Sequence, residues 1–261
     1  MADGAENPSM ARVIAIIPAR LASSRFPRKV LADRTGRTLL QHVYESASRA
    51  RLPDRVVVAT DAEEVARVAA QFGAECVMTR VDHTSGTSRL GEAASRLGLE
   101  GHDIVINVQG DEPEIDPEVI DDLARAMLES GADCATVASA YPSDADPSDP
   151  NIVKVVVDAS GHAMYFSRSP IPFQRDPAEP DPQPLLRHIG IYAYTRRTLE
   201  AYTGLAETRL ERTEKLEQLR LLASGYRMLV IERETDHHGI DTPEQYEAFV
   251  RRWAGSNPPP A

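Results

Sequence analysis

The chain has 261 residues, with 40 Asp and Glu against 29 Lys and Arg and a net charge of −11. That length suits one large α/β domain or two small ones, and the acidic balance argues against nonspecific nucleic-acid binding, which draws on a broad basic surface. No apolar run approaches the roughly 20 residues of a membrane helix, the opening MADGAENPSM lacks the basic start and apolar core of a secretion signal, and Cys76 and Cys134 stand in no zinc-binding spacing. The expected setting is the cytoplasm, with both thiols reduced and no membrane contact.

In chain order, Val13–Ile17 is a continuous apolar, β-branched run that predicts a buried parallel strand. After a loop over Ala19–Lys29, residues 35–50 carry Leu39, Leu40, Val43 and Ala47 at helical spacing. Residues 55–61 predict a second strand, 61–73 a helix closed by Gly73, and 75–80 a third strand. Residues 103–109 predict a fourth strand, ending in Gly-Asp-Glu-Pro, and 116–131 a helix with Pro117 at its start and Gly131 at its end. This alternation argues for a parallel sheet covered on both faces, with ligands at the carboxyl ends of the strands.

From Cys134 the pattern changes. Residues 134–141, 151–158, 163–168 and 188–195 predict strands with little helix between them. Two acidic, proline-rich segments, 142–150 and 176–184, read as exposed loops. A mixed, mostly parallel sheet is expected, with a β-rich arm inserted at about 142–195. Residues 207–225 predict one long amphipathic helix, 227–234 a last strand, and 241–255 a final helix. The expectation is a single domain over 11–254, with flexible tails at 1–10 and 255–261.

Several stretches can carry chemistry. Arg20, Arg25, Arg28 and Lys29 crowd the first strand–helix loop, with the hydroxyls of Ser23 and Ser24 among them. Arginine pairs with phosphate bidentately and lysine acts as a mobile point charge, so the loop suits a triphosphate. It contains no glycine, which argues against a Walker loop or a dinucleotide-binding turn. Asp111 and Glu112 follow Gly110 at the end of a buried strand, where a carboxylate facing a triphosphate would bind Mg²⁺; the same four residues also make a good turn.

Asp241 precedes a capping box of Thr242, Pro243 and Gln245, and Asp61 with Glu64 has the spacing of a second box. In residues 187–195, Ile189, Ile191 and Ala193 alternate with His188, Gly190, Tyr192 and Tyr194, and the second set could line a sugar pocket. Arg168 is a candidate partner for a substrate carboxylate, and Glu217 and Gln218 flank the apolar stripe of their helix.

Taken together, IIPARLASSRFPRKVLAD, VVVATD, DHTSGTSR, NVQGDEP, NIVKVV, YFSRSPIPF, RHIGIYAYTRR, EKLEQLR and GIDTPE occur in one order from about Val13 to Phe249. The set resembles the CTP:3-deoxy-manno-octulosonate (Kdo) cytidylyltransferases. The resemblance implies a Rossmann-like nucleotidyltransferase fold of the α/β class, and a homodimer built partly through the inserted arm. It implies transfer of CMP from CTP to the anomeric hydroxyl of an acidic eight-carbon sugar in lipopolysaccharide biosynthesis, with Mg²⁺ held by Asp111 and Asp241. By motif position, Arg20 and Lys29 would hold the CTP phosphates, supported by Ala19, Ser23, Ser24 and Arg25. Ser85, Gly86 and Thr87 would lie near the cytosine, and Arg89, Gln109, Arg168, His188, Tyr192, Glu217 and Gln218 would serve the acceptor, Gln109 and Asp111 bordering the nucleotide too.

The sequence departs from the family pattern at four places. Arg28 and Val30 stand in PRKV where Pro-Gly-Lys-Pro is usual, Ser88 replaces an acid, and Leu21 stands where tyrosine is common. These changes leave a second acceptor in view: an 8-amino sugar analogue, or a phosphonate such as phosphonoformate.

Overall fold

In a computed structural model of the chain, the structure describes residues 11–21, 25–83, 85–176, 185–235 and 239–256. Ser23 and Ser24 therefore lie outside the described residues. The first half follows the expected alternation: β1 (Val13–Ala19), α1 (Leu39–Ala47), β2 (Arg55–Thr60), α2 (Glu63–Gln71), β3 (Glu75–Met78), α3 (Gly86–Arg96), β4 (Ile104–Asn107) and α4 (Pro117–Ser130). The second half holds β5 (Cys134–Ala140), β6 (Lys154–Val157), β7 (Ala163–Ser167), β8 (Leu186–Thr195), α5 (Arg196–Gly204), α6 (Arg209–Glu214), α7 (Gln218–Ala223), β9 (Met228–Glu232) and α8 (Pro243–Ser256).

The strands form one sheet in the order β3-β2-β1-β4-β8-β5-β9, with β6 joined to β8 and β7 to β6. The pairs among β1, β2, β3 and β4 are parallel, as is β5 with β9; β8 runs antiparallel to both β4 and β5. Period-two alternation divides the core. Val13, Ala15 and Ile17 of β1 face one layer, with Leu40 of α1, Val65 of α2 and Leu123 of α4. Ile14 and Ile16 face the other, with Leu90 of α3, Leu199 of α5 and Leu219 of α7. Ile189, Ile191 and Ala193 of β8 join the first layer, and Tyr194 and Tyr192 the second, which is the alternation the sequence implies. A third cluster, with Leu39, Ile240, Tyr246 and Phe249, seats α8 on α1.

Four expectations change. The helix expected over 207–225 is two helices, because Lys215 adopts φ 55, ψ 47 and closes α6. The supposed capping box of Asp61 and Glu64 does not form: the N-cap of α2 is Ala62 without a side-chain bond, Asp61 accepts from Arg89, and Glu64 pairs with Arg28. Two helices the periodicity did not signal, α3 and α5, pack on each other. Gly91 permits this, since a Cβ there would sit 3.3 Å from Cγ2 of Thr203. Finally, β8 lies inside the main sheet, so the insertion ends before it, and α8 continues to Ser256.

Candidate active site

β1 lies between β2 and β4, and the chain leaves it toward α1 on one face while β4 is reached from α3 on the other. That reversal opens a crevice beyond the carboxyl ends of β1 and β4. Gly110 sits in it under a steric demand: a Cβ would stand 2.7 Å from the carbonyl oxygen of Pro18. The absence of a side chain lets the turn after β4 close on the end of β1, placing Asp111 beside the opening loop.

The opening loop returns through a single 3₁₀ turn, Lys29–Leu31. Lys29 Nζ donates to Asp111 Oδ2 (2.6 Å), Asp241 Oδ1 (3.0 Å) and the carbonyl of Ile240 (3.0 Å). Arg25 pairs with the other oxygen of Asp241 at 2.9 Å. The backbone N–H of Ile240 donates to the carbonyl of Asp111 at 2.8 Å, tying the start of α8 to the end of β4. The capping box at Thr242 forms: Gln245 N–H donates to Thr242 Oγ1, and Gln245 Oε1 accepts from the backbone of Thr242 and Asp241. The cap thus fixes the backbone of Asp241 while its carboxylate meets Lys29.

Two adjoining chambers share Arg20, Gly86, Gln109, Asp111 and Asp241. The first, about 670 Å³, brings these together with Arg25, Lys29, Ser85, His83 and Arg89. Its far wall is the start of α3, where Ser85 Oγ accepts from the N–H of Ser88. Arg89 is buried and committed, donating to Asp61 Oδ2 (3.1 Å) and to the Thr79 hydroxyl. His83, absent from the sequence candidates, is held by Ser88 Oγ on one nitrogen and Glu92 on the other. Glu92 lies four residues beyond Ser88 on α3, so a carboxylate one helical turn away serves this corner. The Glu92 carboxyl is lowered to about 2: burial opposes this, but bonds from the Arg80 backbone, His83 and Arg96 outweigh it.

The second chamber, about 420 Å³, brings Thr87, Tyr192, Glu217 and Gln218 together with Asn107, Glu112, Tyr202 and Lys215. The break at Lys215 precedes Glu217, which accepts from Thr87 Oγ1 of α3 (3.2 Å) and Tyr202 Oη of α5 (3.4 Å). Enclosure by protein pushes its carboxyl up, although the side facing the cleft stays open to solvent. Burial pushes the Tyr192 phenol well up, keeping it a neutral donor. Burial, with Asp111 adjacent, pushes Glu112 up to about 8.

Three sequence candidates stand outside both chambers: Arg168, His188, and Ala19, which is buried at the end of β1 opposite Thr60 of β2. Arg168 donates through Nε to the carbonyl of Glu214 (2.7 Å), and through its terminal nitrogens to Lys215 (3.3 Å) and Pro150 (2.7 Å). It satisfies the carbonyls at the end of α6 and so holds the break beside the chamber. His188 meets Thr136 Oγ1 at 3.0 Å, with its ring between Phe166 and Tyr192. Burial lowers its pKa to about 3, so it is a neutral support behind Tyr192. Of the residues that sequence reasoning passed over, Lys215 and Asn107 gave little signal: one sat inside an expected helix, the other inside an apolar strand. Arg28 has a structural account: its φ of 59 is the left-handed conformation that glycine adopts without cost, and its side chain reaches Glu64 of α2.

The family model described as cytidylyltransferase matches residues 14–232. A 3-deoxy-manno-octulosonate cytidylyltransferase of Syntrophobacter fumaroxidans is 48% identical over 92% of this chain and 96% of its own length. The solved structure of a CMP:2-keto-3-deoxy-manno-octonic acid synthetase complexed with CTP superposes with a TM-score of 0.88 at 40% identity, covering 94% of this chain and all of that one. A 4-diphosphocytidyl-2C-methyl-D-erythritol synthase of Anaerococcus prevotii, at 15% identity and TM-score 0.61 over 94% of this chain and 96% of its own, shares the fold. With the family model matched over most of its length and a relative 48% identical across 92% of it, the chain belongs to the cytidylyltransferase family.

Proposed function

We propose that the protein transfers CMP from CTP to the anomeric hydroxyl of 3-deoxy-manno-octulosonate, giving the CMP-sugar and pyrophosphate. The observation that carries this reading is the meeting of two chambers at Asp111 and Asp241, in a chain 48% identical to a relative named for that reaction. The first chamber, with Arg20, Arg25 and Lys29, is the place for the nucleotide. The second, with Gln109, Tyr192, Glu217 and Gln218, is the place for the acceptor.

Asp111 and Asp241 suit a divalent cation. Their oxygens already converge on one positive charge, the Lys29 ammonium. Among the described residues no group of three His, Cys, Asp or Glu forms a complete cage. Two carboxylates completed by substrate oxygens and water are the usual Mg²⁺ arrangement. Mg²⁺ bound there would neutralise the phosphates and favour ionisation of the attacking hydroxyl.

The chain's own residues do the rest. Arg20, shared by both chambers, faces the reacting groups from the end of β1. Arg25 and Lys29 exchange carboxylate partners for phosphate oxygens. The acceptor oxygen attacks the α-phosphorus, the bond from that phosphorus to the β-phosphate bridging oxygen breaks, pyrophosphate leaves with the bridging oxygen, and the hydroxyl proton passes to solvent. No protein nucleophile is needed, and holding two anions in line supplies much of the rate. The acceptor's carboxylate requires a cation; with Arg168 committed to α6, Lys215 and Arg20 are the cations lining the second chamber.

The exposed Phe173 and Met164 of the inserted segment support a homodimer formed there. A reaction that consumes CTP supports a cytoplasmic enzyme, and no described helix is long and apolar enough to cross a membrane. Pyrophosphate release from CTP and Mg²⁺ with a panel of acids tests the reaction. Release with 3-deoxy-manno-octulosonate is expected. Release only with the 8-amino analogue or with phosphonoformate moves the acceptor, and release with no acid overturns the reading.

A further inference from the structure

Lys29 brings one ammonium to three oxygens. Its Nζ donates to Asp111 Oδ2 at 2.6 Å, to Asp241 Oδ1 at 3.0 Å and to the carbonyl of Ile240 at 3.0 Å, which occupies all three of its donors. Arg25 reaches the other oxygen of Asp241 at 2.9 Å. All four residues line the first chamber, and the Lys29 side chain is 13% exposed and that of Asp111 25%. Mg²⁺ binds oxygens at about 2.1 Å, so an ion on Asp111 Oδ2 could stand no farther than about 5 Å from the ammonium. It would meet a like charge at close range.

Lysine is scarce in this chain: Lys29, Lys154 and Lys215 are the three among 29 Lys and Arg. Elsewhere along the first chamber an arginine holds the carboxylate, as Arg89 does Asp61. Arginine presents a rigid fork, whereas lysine is a single charge on a flexible stem. The backbone of Lys29 opens the 3₁₀ turn and the next residue, Val30, is buried, so the side chain alone is free to swing. The two acids keep their positions without it. The Ile240 N–H donates to the carbonyl of Asp111 at 2.8 Å, and the Asp241 N–H donates to Gln245 Oε1 at 2.7 Å. Departure of the ammonium would leave two carboxylates side by side, a charge that a divalent cation relieves.

We propose that Lys29 is a guard released by nucleotide: while its ammonium lies between Asp111 and Asp241 it keeps a divalent cation out, and triphosphate oxygens open the cation site by drawing the ammonium away. The proposal rests on the reading of these two acids as cation ligands and adds a condition to it. A cation arriving alone must expel a like charge that has nowhere else to go. A triphosphate offers that ammonium equivalent charge-assisted bonds, so the exchange costs little. Cation and nucleotide then strengthen each other's binding by one and the same factor.

The test uses the full-length protein with its lysines isotopically labelled at Cε, which gives three side-chain signals, one for each lysine. Lys29→Met identifies the Lys29 signal by its loss, and Lys29→Arg does so if the Met variant does not fold. Millimolar Mg²⁺ alone should leave that signal in place, and CTP in the presence of EDTA should move it. Without nucleotide, Lys29→Met should bind Mn²⁺ about 10- to 100-fold more tightly than the wild type, read by electron paramagnetic resonance, the worth of one displaced charge-assisted bond. Adding Asp111→Asn to Lys29→Met should abolish the gain.

If Mg²⁺ alone moves the Lys29 signal as far as CTP does, or if Lys29→Met binds Mn²⁺ no more tightly than the wild type, the guard is overturned and the cation reading stands. If water-proton relaxation shows Mn²⁺ held by the wild type with CTP and held equally by Asp111→Asn, the cation lies elsewhere, and the cation reading and the guard fall together.

Discussion

The two chambers meet at the same carboxylates and are built on opposite principles. In the first, nearly every charge is matched within the protein: Lys29 by Asp111 and Asp241, Arg25 by Asp241, Arg89 by Asp61, and His83 by Glu92. In the second, Asn107, Glu112 and Gln218 each keep a buried polar atom without a partner. A chamber for a highly charged ligand can hold its charges in internal pairs and exchange them on binding. The unpaired atoms of the second chamber are enclosed rather than open, while Glu217 and Gln109 there already hold neutral partners. The first is organised by paired charge and the second by neutral hydrogen bonds and enclosure.

The largest expected effect tests the boundary between them. Asp111→Asn should lower kcat by about 10³-fold at saturating CTP and acceptor, measured as pyrophosphate release, because charge stabilisation at the α-phosphate falls. A loss under about tenfold would break the assignment of Asp111.

A smaller effect separates Lys215 from the residue that holds it. Lys215→Ala should raise the acceptor KM about tenfold and leave the CTP KM unchanged, as expected for one lost charge-assisted bond. Arg168→Ala should act chiefly on folding, lowering the melting temperature by about 3 °C through the freed carbonyls of α6. If Arg168→Ala instead raised the acceptor KM without any change in melting, Arg168 would have to reach substrate in a way its present bonds do not allow.

The supporting layer should show itself in acid. His42, lowered to about 4 by burial and Arg37, and His188, lowered to about 3 by burial, stay neutral in the fold but take up protons when unfolded below about 6.5. The unfolded state then binds more protons, so stability falls as pH drops from about 6.5 toward 4, by up to about 1.4 kcal/mol per pH unit for each histidine. Glu112, raised to about 8, acts oppositely: it remains protonated in the fold where the unfolded state has lost its proton, so it weakens the fold as pH rises from about 4.5 to 8. Urea unfolding of wild type and His188→Asn between pH 5 and 7 isolates the histidine contribution. The variant's stability should fall less steeply with acid, and equal slopes would contradict a buried neutral His188.

The smallest effect is expected at Arg28. Arg28→Gly removes an exposed ion pair with Glu64 and relieves a left-handed backbone position. The two changes oppose each other, so the melting temperature should move by no more than about 3 °C and the CTP KM by no more than about twofold. A large rise in CTP KM would place Arg28 among the phosphate contacts.

Sequence pattern exposed the fold where one element carries its own signal. The β1, β2 and β4 runs are largely apolar, α4 announces both ends with Pro117 and Gly131, and α8 announces its start with Thr242, Pro243 and Gln245. Arg20 and Asp111 stand just past the ends of β1 and β4 and Lys29 lies in a run of basic residues, features visible in the sequence, whereas Asp241 reads there as a helix-entry residue and was singled out only by the family resemblance. The features that were hidden depend on distant partners. The helix break at Lys215 is held by Arg168 from the end of β7, 46 or 47 residues away in sequence. Helix α3 has weak intrinsic propensity, with glycine at its first and sixth positions, and its glycine at 91 is used for close packing on α5. Asn107 stands in a strand run with nothing in the sequence to mark it as a lining residue of the second chamber.

The position of Lys29 between Asp111 and Asp241 also bears on how the protein responds to salt. With Arg25, its ammonium already balances those two carboxylates, so the site offers an approaching nucleotide little uncompensated positive charge. What a polyanionic nucleotide meets at a distance is the rest of the surface, which carries a net −11. Counter-ions shorten that repulsion, to a reach of about 8 Å at physiological ionic strength. Nucleotide capture by this chain should therefore quicken as ionic strength rises, the reverse of the response of a basic nucleotide-binding protein.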